Sequence, residues 1–214
     1  MKIISRTLGP VQTNCYFLIN EETSGAIVVD PAENGRKLYE ACEQMGVTPE
    51  AVLLTHGHFD HIMGLGSLRL AAQERGRQIP VYIHEADAEL IRDPEQNLAR
   101  GFGFGEYSDH EDFCVKDGDE MTLAGLSFRV MHTPGHTPGS CCYYFESEKV
   151  LISGDTLFCM SFGRTDFPGG SSRELIHSIK DILFALPEDT KVYPGHNEFT
   201  NIRFEKENNP ISCY

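Results

Sequence analysis

The chain has 214 residues, of which 40% are hydrophobic and 23% are charged, and this composition excludes a disordered or fibrous protein. The 32 Asp and Glu residues outnumber the 18 Lys and Arg residues, which gives a formal net charge of −14. A surface this acidic repels nucleic acid and anionic membranes, so we expect neither as a partner and favour small-molecule chemistry.

Short β-type runs alternate with amphipathic helical stretches along the chain. In the first half we predict strands over residues 15–19, 26–30, 51–55 and 81–84, a helix that ends at Gly46, and a helix over 62–73. In the second half we predict a long polar surface loop over 93–117 with at most one short helix, strands over 126–131, 140–145, 149–153 and 191–193, and a helix over 174–186. This alternation predicts one α/β domain with a mixed sheet over residues 1–214.

The N-terminal segment and the cysteines both bear on the compartment. No secretory apolar segment is present at the N-terminus, and no stretch approaches the roughly 18 consecutive apolar residues of a membrane span. The 7 cysteines are an odd number and include no C-x-x-C pair. We therefore expect free thiols and a reducing, cytoplasmic location.

The densest group of possible ligands is the run THGHFDH at residues 55–61. It directly follows a predicted strand, and a chance match to its pattern has a probability on the order of one in a thousand. Imidazole and carboxylate groups are good ligands for Zn²⁺ and related divalent ions. The candidate metal ligands in this run are His56, His58, Asp60 and His61.

Three further candidate ligands follow other predicted strands. Asp155 comes after the strand at 149–153, and His196 comes after the strand at 191–193. In the segment HTPGH at 132–136, either His132 or His136 could be a ligand, but Thr-Pro-Gly between them disfavours a helix that presents both. The carboxyl ends of strands gather at one edge of an open α/β sheet, so these side chains should converge. Seven ligands are more than one tetrahedral zinc needs, which predicts two adjacent metal ions.

The motifs THGHFDH, HTPGHTPGS, SGDTLF and PGHN occur in this order, and together they resemble the metallo-β-lactamase-fold hydrolases. The chain is most similar to their small glyoxalase II-like, or hydroxyacylglutathione hydrolase-like, subgroup. The resemblance implies a four-layer αββα sandwich with two mixed β-sheets. It also implies one metal ion held by His56, His58 and His136, a second held by Asp60, His61 and His196, and a bridging Asp155. Zinc is the expected metal, with iron or manganese as alternatives.

The resemblance also favours one activity within the fold. Many β-lactamases of this fold have Cys where Asp155 stands, whereas thioesterase-type members have both the Asp and the second His, here His61. The implied reaction is hydrolysis of S-lactoylglutathione or a similar acyl thioester by a hydroxide that bridges the two metals. Asp60 and Asp155 are the implied catalytic carboxylates. We expect the C-terminal helical domain that contributes to glutathione binding in full-length glyoxalase II to be absent, which leaves the thiol carrier open.

The segment GRTDFPGG at 163–170 also resembles the subgroup, and it follows Asp155 closely enough to border the site. Its candidate substrate-binding residues are Arg164 and Asp166, because a guanidinium pairs bidentately with a carboxylate; the alternative is an ion pair between the two. A similar segment occurs in persulfide dioxygenases, where His56, His136 and Asp155 would hold a single iron. A nuclease or lactonase of the same fold is a further alternative, and the net charge counts against a nuclease.

Residues beyond the predicted ligands should orient them. The candidates are Asp30 and Thr55, which lie at or near the ends of predicted strands, and Thr156, which follows Asp155.

Overall fold

The computed structural model describes residues Met1 to Tyr214. Its first sheet has six strands in chain order: β1 (Lys2–Leu8), β2 (Thr13–Ile19), β3 (Gly25–Val29), β4 (Thr48–Leu53), β5 (Val81–His84) and β6 (Phe113–Val115). Strands β1 to β3 pair antiparallel, and strands β3 to β6 pair parallel. The sheet is therefore mixed.

The second sheet also has six strands: β7 (Glu120–Leu123), β8 (Leu126–His132), β9 (Cys141–Phe145), β10 (Val150–Gly154), β13 (Lys191–Pro194) and β14 (Thr200–Asn201). Between β10 and β13, a separate hairpin contains β11 (Leu157–Phe158) and β12 (Ser161–Phe162). Only β10 and β13 pair parallel, so this sheet is mixed as well.

Five helices accompany the two sheets: α1 (Gly35–Met45), α2 (Phe59–Ile62), α3 (Leu65–Gln73), α4 (Ser172–His177) and α5 (Ile202–Asn208). None of them has the length and apolar character that crossing a membrane requires.

Alternating side chains on the central strands build four layers, because successive residues of a strand point to opposite faces. On β2, Phe17 belongs to the core shared with α1 and α3, whereas Leu18 belongs to the core between the two sheets. On β9, Tyr143 faces the core between the sheets, whereas Tyr144 packs with residues of α4 and α5. The predicted αββα sandwich with two mixed sheets is confirmed.

All eight predicted strands are present, with ends that differ by up to three residues. The prediction of a loop with at most one short helix over 93–117 is wrong at residues 113–115, because β6 lies there and pairs with β5. This strand has only three residues, and Phe113 and Cys114 are exposed, so it carries no alternating apolar pattern.

Two of the predicted helices are less regular than expected. The helix over 62–73 is interrupted at Gly64, whose N–H donates to the carbonyl of Pro31 at 2.6 Å instead of continuing α2. A side chain at Gly64 would collide with the same carbonyl. The helix over 174–186 begins at Ser172 as α4 and continues as a π-helical turn over Ser178–Ile182 and a 3-10 turn over Leu183–Ala185. The helix predicted to end at Gly46 does so, with a left-handed φ of 73°.

Candidate metal centre

The segments that follow four strands bring all the predicted ligands to one place. The run from His56 to His61 follows β4 in the first sheet, and His136, Asp155 and His196 follow β8, β10 and β13 in the second sheet. The ends of β10 and β13 are joined by a hydrogen bond from the N–H of Gly195 to the carbonyl of Gly154 at 2.8 Å. Since a side chain at Gly195 would collide with the Asp155 carboxylate, glycine allows this close approach.

Three overlapping groups of side chains could each hold a metal ion, with ligand atoms within 4.8 Å of one another. They are His56, His58 and His136; His56, His61 and Asp155; and Asp60, His61 and His196. The closest pair is His58 Nδ1 and His136 Nε2, which lie 2.9 Å apart. All seven side chains proposed as ligands therefore belong to a single cluster.

Asp155 occupies the centre of this cluster. Its Oδ1 lies 3.4 Å from His61 Nε2, and its Oδ2 lies 3.5 Å from His136 Nε2 and 3.4 Å from His196 Nε2. These imidazoles belong to both of the ligand sets implied by the resemblance. A carboxylate placed between them has the position that a bridging ligand requires.

Several polar atoms in the cluster are buried without any hydrogen-bond partner: His56 Nε2, His61 Nε2 and Asp155 Oδ1. An unsatisfied buried polar atom costs about 1–3 kcal/mol. Imidazole nitrogen and carboxylate oxygen are the ligands that zinc and related ions prefer. The residues therefore fit two divalent ions, which would supply the missing partners.

Burial and neighbouring charge act in opposite directions on the ligands. Burial, reinforced by the neighbouring His136, lowers the pKa of His58 to about 3. Burial also opposes the charged forms of His196 and Asp60, but opposite charges and hydrogen bonds outweigh it. Asp155 and Asp60 raise the pKa of His196 to about 9, and His61, His196 and Thr13 lower the pKa of Asp60 to about 2. His61 and His196 likewise outweigh burial at Asp155 and hold its pKa well below the usual range, so both carboxylates of the cluster are ionised at neutral pH.

Asp30 and Thr55 orient two ligands, as the sequence predicts. Asp30 accepts hydrogen bonds from Thr55 N at 2.8 Å, Thr55 Oγ1 at 2.7 Å and His61 Nδ1 at 2.9 Å. Because the Thr55 hydroxyl donates to Asp30, it accepts from His56 Nδ1, 3.2 Å away. Each bond leaves the Nε2 atom of its histidine directed at the cluster. Asp30 adopts a left-handed φ of 48° at the end of β3.

Two other contacts to ligands are not evident from the sequence. His136 Nδ1 donates to the backbone carbonyl of Arg164 at 2.7 Å, and Thr13 Oγ1 donates to Asp60 Oδ2 at 2.6 Å. Thr156, by contrast, shares a hydrogen bond with Thr133 at 2.9 Å, and its hydroxyl makes no hydrogen bond to a ligand.

Asp87 is a fully buried carboxylate that sequence reasoning misses. It accepts hydrogen bonds from Gly57 N at 3.0 Å, Gly139 N at 2.6 Å and Thr137 Oγ1 at 2.7 Å. Burial raises its pKa, and these three bonds oppose the rise. Asp87 thereby joins the loop of His56 and His58 to the loop of His136. The one feature of the sequence that could have indicated Asp87 is its position just beyond β5, at the edge where the ligands gather.

The structure distinguishes the two histidines of the HTPGH segment. His136 lies in the ligand cluster, whereas His132 stacks on His84 with ring centroids 4.0 Å apart and an angle of 8° between the rings. His132 Nε2 also donates to the carbonyl of Pro138 at 2.8 Å.

A cavity of about 330 Å³ opens beside the cluster. Arg164 lies in its wall, but Asp166 does not. The Arg164 guanidinium donates to both carboxylate oxygens of Asp166, at 2.9 and 2.7 Å, which is the ion pair considered as the alternative. A role for Arg164 and Asp166 in substrate binding stays a prediction.

A sequence model of the metallo-β-lactamase superfamily, which is also the family that the motifs resemble, matches residues 8–196. The chain belongs to this superfamily. The probable metallo-hydrolase YqgX of Bacillus subtilis is 36% identical to it over 215 residues, which are 99% of this chain and 97% of that protein. The hydroxyacylglutathione hydrolase GloC of Haemophilus influenzae is 35% identical over 203 residues, 94% of this chain and 92% of that protein.

Three crystal structures resemble this superfamily member closely. BLEG-1, a B3 metallo-β-lactamase, has a TM-score of 0.90 and 37% identity, with 98% of each chain covered. TTHA1623 in a di-iron-bound form has a TM-score of 0.84 and 36% identity, with 97% of this chain and 98% of that chain covered. ETHE1 from Myxococcus xanthus has a TM-score of 0.80 and 30% identity, with 98% of this chain and 84% of that chain covered. With the His/Asp cluster, these similarities identify a metal-dependent hydrolase of the metallo-β-lactamase fold.

Proposed function

We propose that this protein is a thioester hydrolase of glyoxalase II type, acting on S-lactoylglutathione or a similar small acyl thioester with two divalent ions, which we propose to be zinc. The observation that carries the proposal is the Asp155 carboxylate at 3.4–3.5 Å from His61, His136 and His196. This arrangement suits a pair of ions with a shared carboxylate ligand. The identity to GloC, a hydroxyacylglutathione hydrolase, supports the choice of substrate class.

His56, His58 and His136 would hold one ion, and Asp60, His61 and His196 would hold the other. When bound, such ions supply Lewis acidity and a nucleophile that is active near neutral pH. Ionised Asp60 and Asp155 offset the positive charge. Asp30, through His61 and Thr55, keeps two imidazoles in the tautomer that presents Nε2.

The cavity walls are consistent with attack by water rather than by a side chain. No serine, threonine or cysteine lies among the residues that line the cavity. A covalent acyl intermediate on a hydroxyl or thiol group has no candidate residue there. Six of the twelve residues that line the cavity are apolar, and an apolar lining strengthens electrostatic interactions with a bound thioester carbonyl.

Elemental analysis of the purified protein, combined with an assay of S-lactoylglutathione hydrolysis, tests the proposal. We expect two zinc ions per chain and turnover of the thioester. One iron per chain without hydrolysis, and with oxygen uptake in the presence of glutathione persulfide, would contradict it and favour the dioxygenase alternative.

Replacement of Asp155 tests the bridging assignment. We expect D155A to abolish hydrolysis and to lower the metal content toward one ion per chain, because a ligand shared by both groups is lost. D181A is the matched control, since Asp181 is an exposed carboxylate paired with His177. Full activity of D155A with two ions retained would show that Asp155 is not the bridge.

A further inference from the structure

The cavity beside the metal cluster is apolar wherever its wall is not made of metal ligands or Arg164. The six apolar side chains in the wall are Val11, Phe59, Leu98, Phe102, Phe158 and Phe167. A charged or hydroxylated group placed against such a wall loses hydrogen bonds to water and finds no replacement. The wall therefore suits an apolar substituent next to the reacting carbonyl.

Aromatic rings connect the metal ligands to the surface. Phe167 lies edge-on to the ring of His58 at 5.7 Å, and Phe102 lies edge-on to Phe167 at 6.1 Å. Phe102 also packs on Phe59 at 5.2 Å, and Phe59 stacks on Phe104 at 4.8 Å. These contacts give the wall a continuous aromatic surface. Phe102 is nevertheless 49% exposed, so it leaves aromatic surface for a substrate to cover.

Outside the metal ligands, the wall offers a carboxylate no unpaired cation. Arg164 is the only lysine or arginine that lines the cavity. Its guanidinium is paired with both oxygens of Asp166 and lies 4.3 Å from the centroid of the Phe167 ring. The net charge of −14 adds a further disadvantage for an anionic group.

We infer that the acyl group of the substrate is neutral and apolar, with about the size of an arylacetyl group, and that Phe102 determines this specificity. The inference rests on the proposed thioester hydrolysis. An apolar cavity of about 150 Å³ holds a benzene molecule. The cavity of about 330 Å³ therefore accommodates a phenyl ring together with the thioester group. A thiol carrier with amides and carboxylates has no partners in this wall and extends toward solvent.

Three thioesters of one carrier test the acyl preference: S-phenylacetyl-, S-lactoyl- and S-acetylglutathione. We expect kcat/KM to be highest for the phenylacetyl ester. F102A should lower kcat/KM for that ester about tenfold and change it less than about twofold for the acetyl ester, because only the aryl group loses a ring contact. F113A is the matched control, since Phe113 is 54% exposed, stacks on Tyr82 and lies outside the cavity.

Equal kcat/KM for the three esters, or a preference for lactoyl, would overturn the inference and leave thioester hydrolysis intact. An equal loss for both esters in F102A would overturn the role of Phe102.

A binding measurement tests the same inference without catalysis. The ligands are ketone analogues of the phenylacetyl and acetyl esters, in which a methylene separates the sulfur from the carbonyl so that no thioester bond can be cleaved. Calorimetry compares the affinity for the analogue with a benzyl group on the carbonyl with that for the analogue with a methyl group. We expect the metal-loaded protein to bind the benzyl form about tenfold more tightly and F102A to lose most of this difference. If no thioester is cleaved, the proposed function fails, but tighter binding of the benzyl form still supports an apolar ligand in this cavity. Equal affinities for the benzyl and methyl forms would overturn the inferred preference for an apolar group.

Discussion

Removal of the Asp87 carboxylate tests whether this buried group holds the two ligand loops together. In D87A, the N–H groups of Gly57 and Gly139 lose their acceptor, whereas the Thr137 hydroxyl keeps Ser140 at 2.8 Å. A buried donor without a partner costs about 1–3 kcal/mol, so two donors give a loss of about 2–6 kcal/mol in the free energy of unfolding. Burial raises the pKa of Asp87, which shows that the buried carboxylate itself carries a desolvation cost. Removing it recovers that cost and offsets part of the expected loss in the free energy of unfolding. We expect a loss near the lower end, about 2 kcal/mol.

The effect of D87A should extend to the metal. Gly57 lies between His56 and His58, and Thr137 follows His136, so looser loops separate ligand atoms that now lie 2.9 Å apart. Loss of a residue that positions ligands lowers metal affinity about 10–100-fold. Urea unfolding gives the stability, and competition with a chromophoric chelator gives the affinity.

E205A is the matched control for D87A. Glu205 is an equally buried carboxylate that accepts from Thr200 Oγ1 at 2.6 Å and Met160 N at 3.0 Å. We expect E205A to lose stability while it keeps its metal affinity. Wild-type metal affinity in D87A would refute the positioning role, whatever its stability.

Two further outcomes are expected, one for metal removal and one for pH. Chelation of the metal should lower Tm, and zinc should restore it, because His56 Nε2 and His61 Nε2 are buried without partners; an unchanged Tm would contradict a metal at this site. An NMR titration should give a pKa of about 4 for His84, since burial and the stacked His132 disfavour its charged form. In the unfolded chain, the His84 imidazole becomes protonated near pH 6.5, whereas in the folded protein it does so only near pH 4. The contribution of His84 to the free energy of unfolding is therefore lost as the pH falls from about 6.5 to about 4. A pKa of about 6.5 in the folded protein would contradict this expectation.

The convergence of the ligands follows from local sequence. Asp155, His136 and His196 each come just after a strand that carries buried apolar residues, and such runs can be recognised without knowledge of their partners. Because strand ends meet at an edge, the order of motifs is enough to predict one cluster. The α/β class likewise follows from the alternation of strands and helices, whereas the four layers and the second sheet are implied only by the resemblance of the motifs.

Features that depend on contacts between distant segments are not predictable in this way. Asp87 lies in a short polar stretch typical of a surface turn, and its partners Gly57 and Thr137 are 30 and 50 residues away. Phe102 belongs to a glycine-containing polar stretch, and only its packing on Phe59 makes it part of a wall. β6 is likewise defined by its pairing with β5 and by no local pattern.

The division of the ligands between the two sheets has a consequence for biosynthesis. Four ligands, His56, His58, Asp60 and His61, follow β4 within a single run, whereas the other three follow strands of the second sheet. Domains emerge from the ribosome with the N-terminal part first. A nascent chain therefore displays a short chelating peptide well before His136, Asp155 and His196 exist. Each implied ligand set takes residues from both halves of the chain, so neither set is complete until the second sheet has packed against the first.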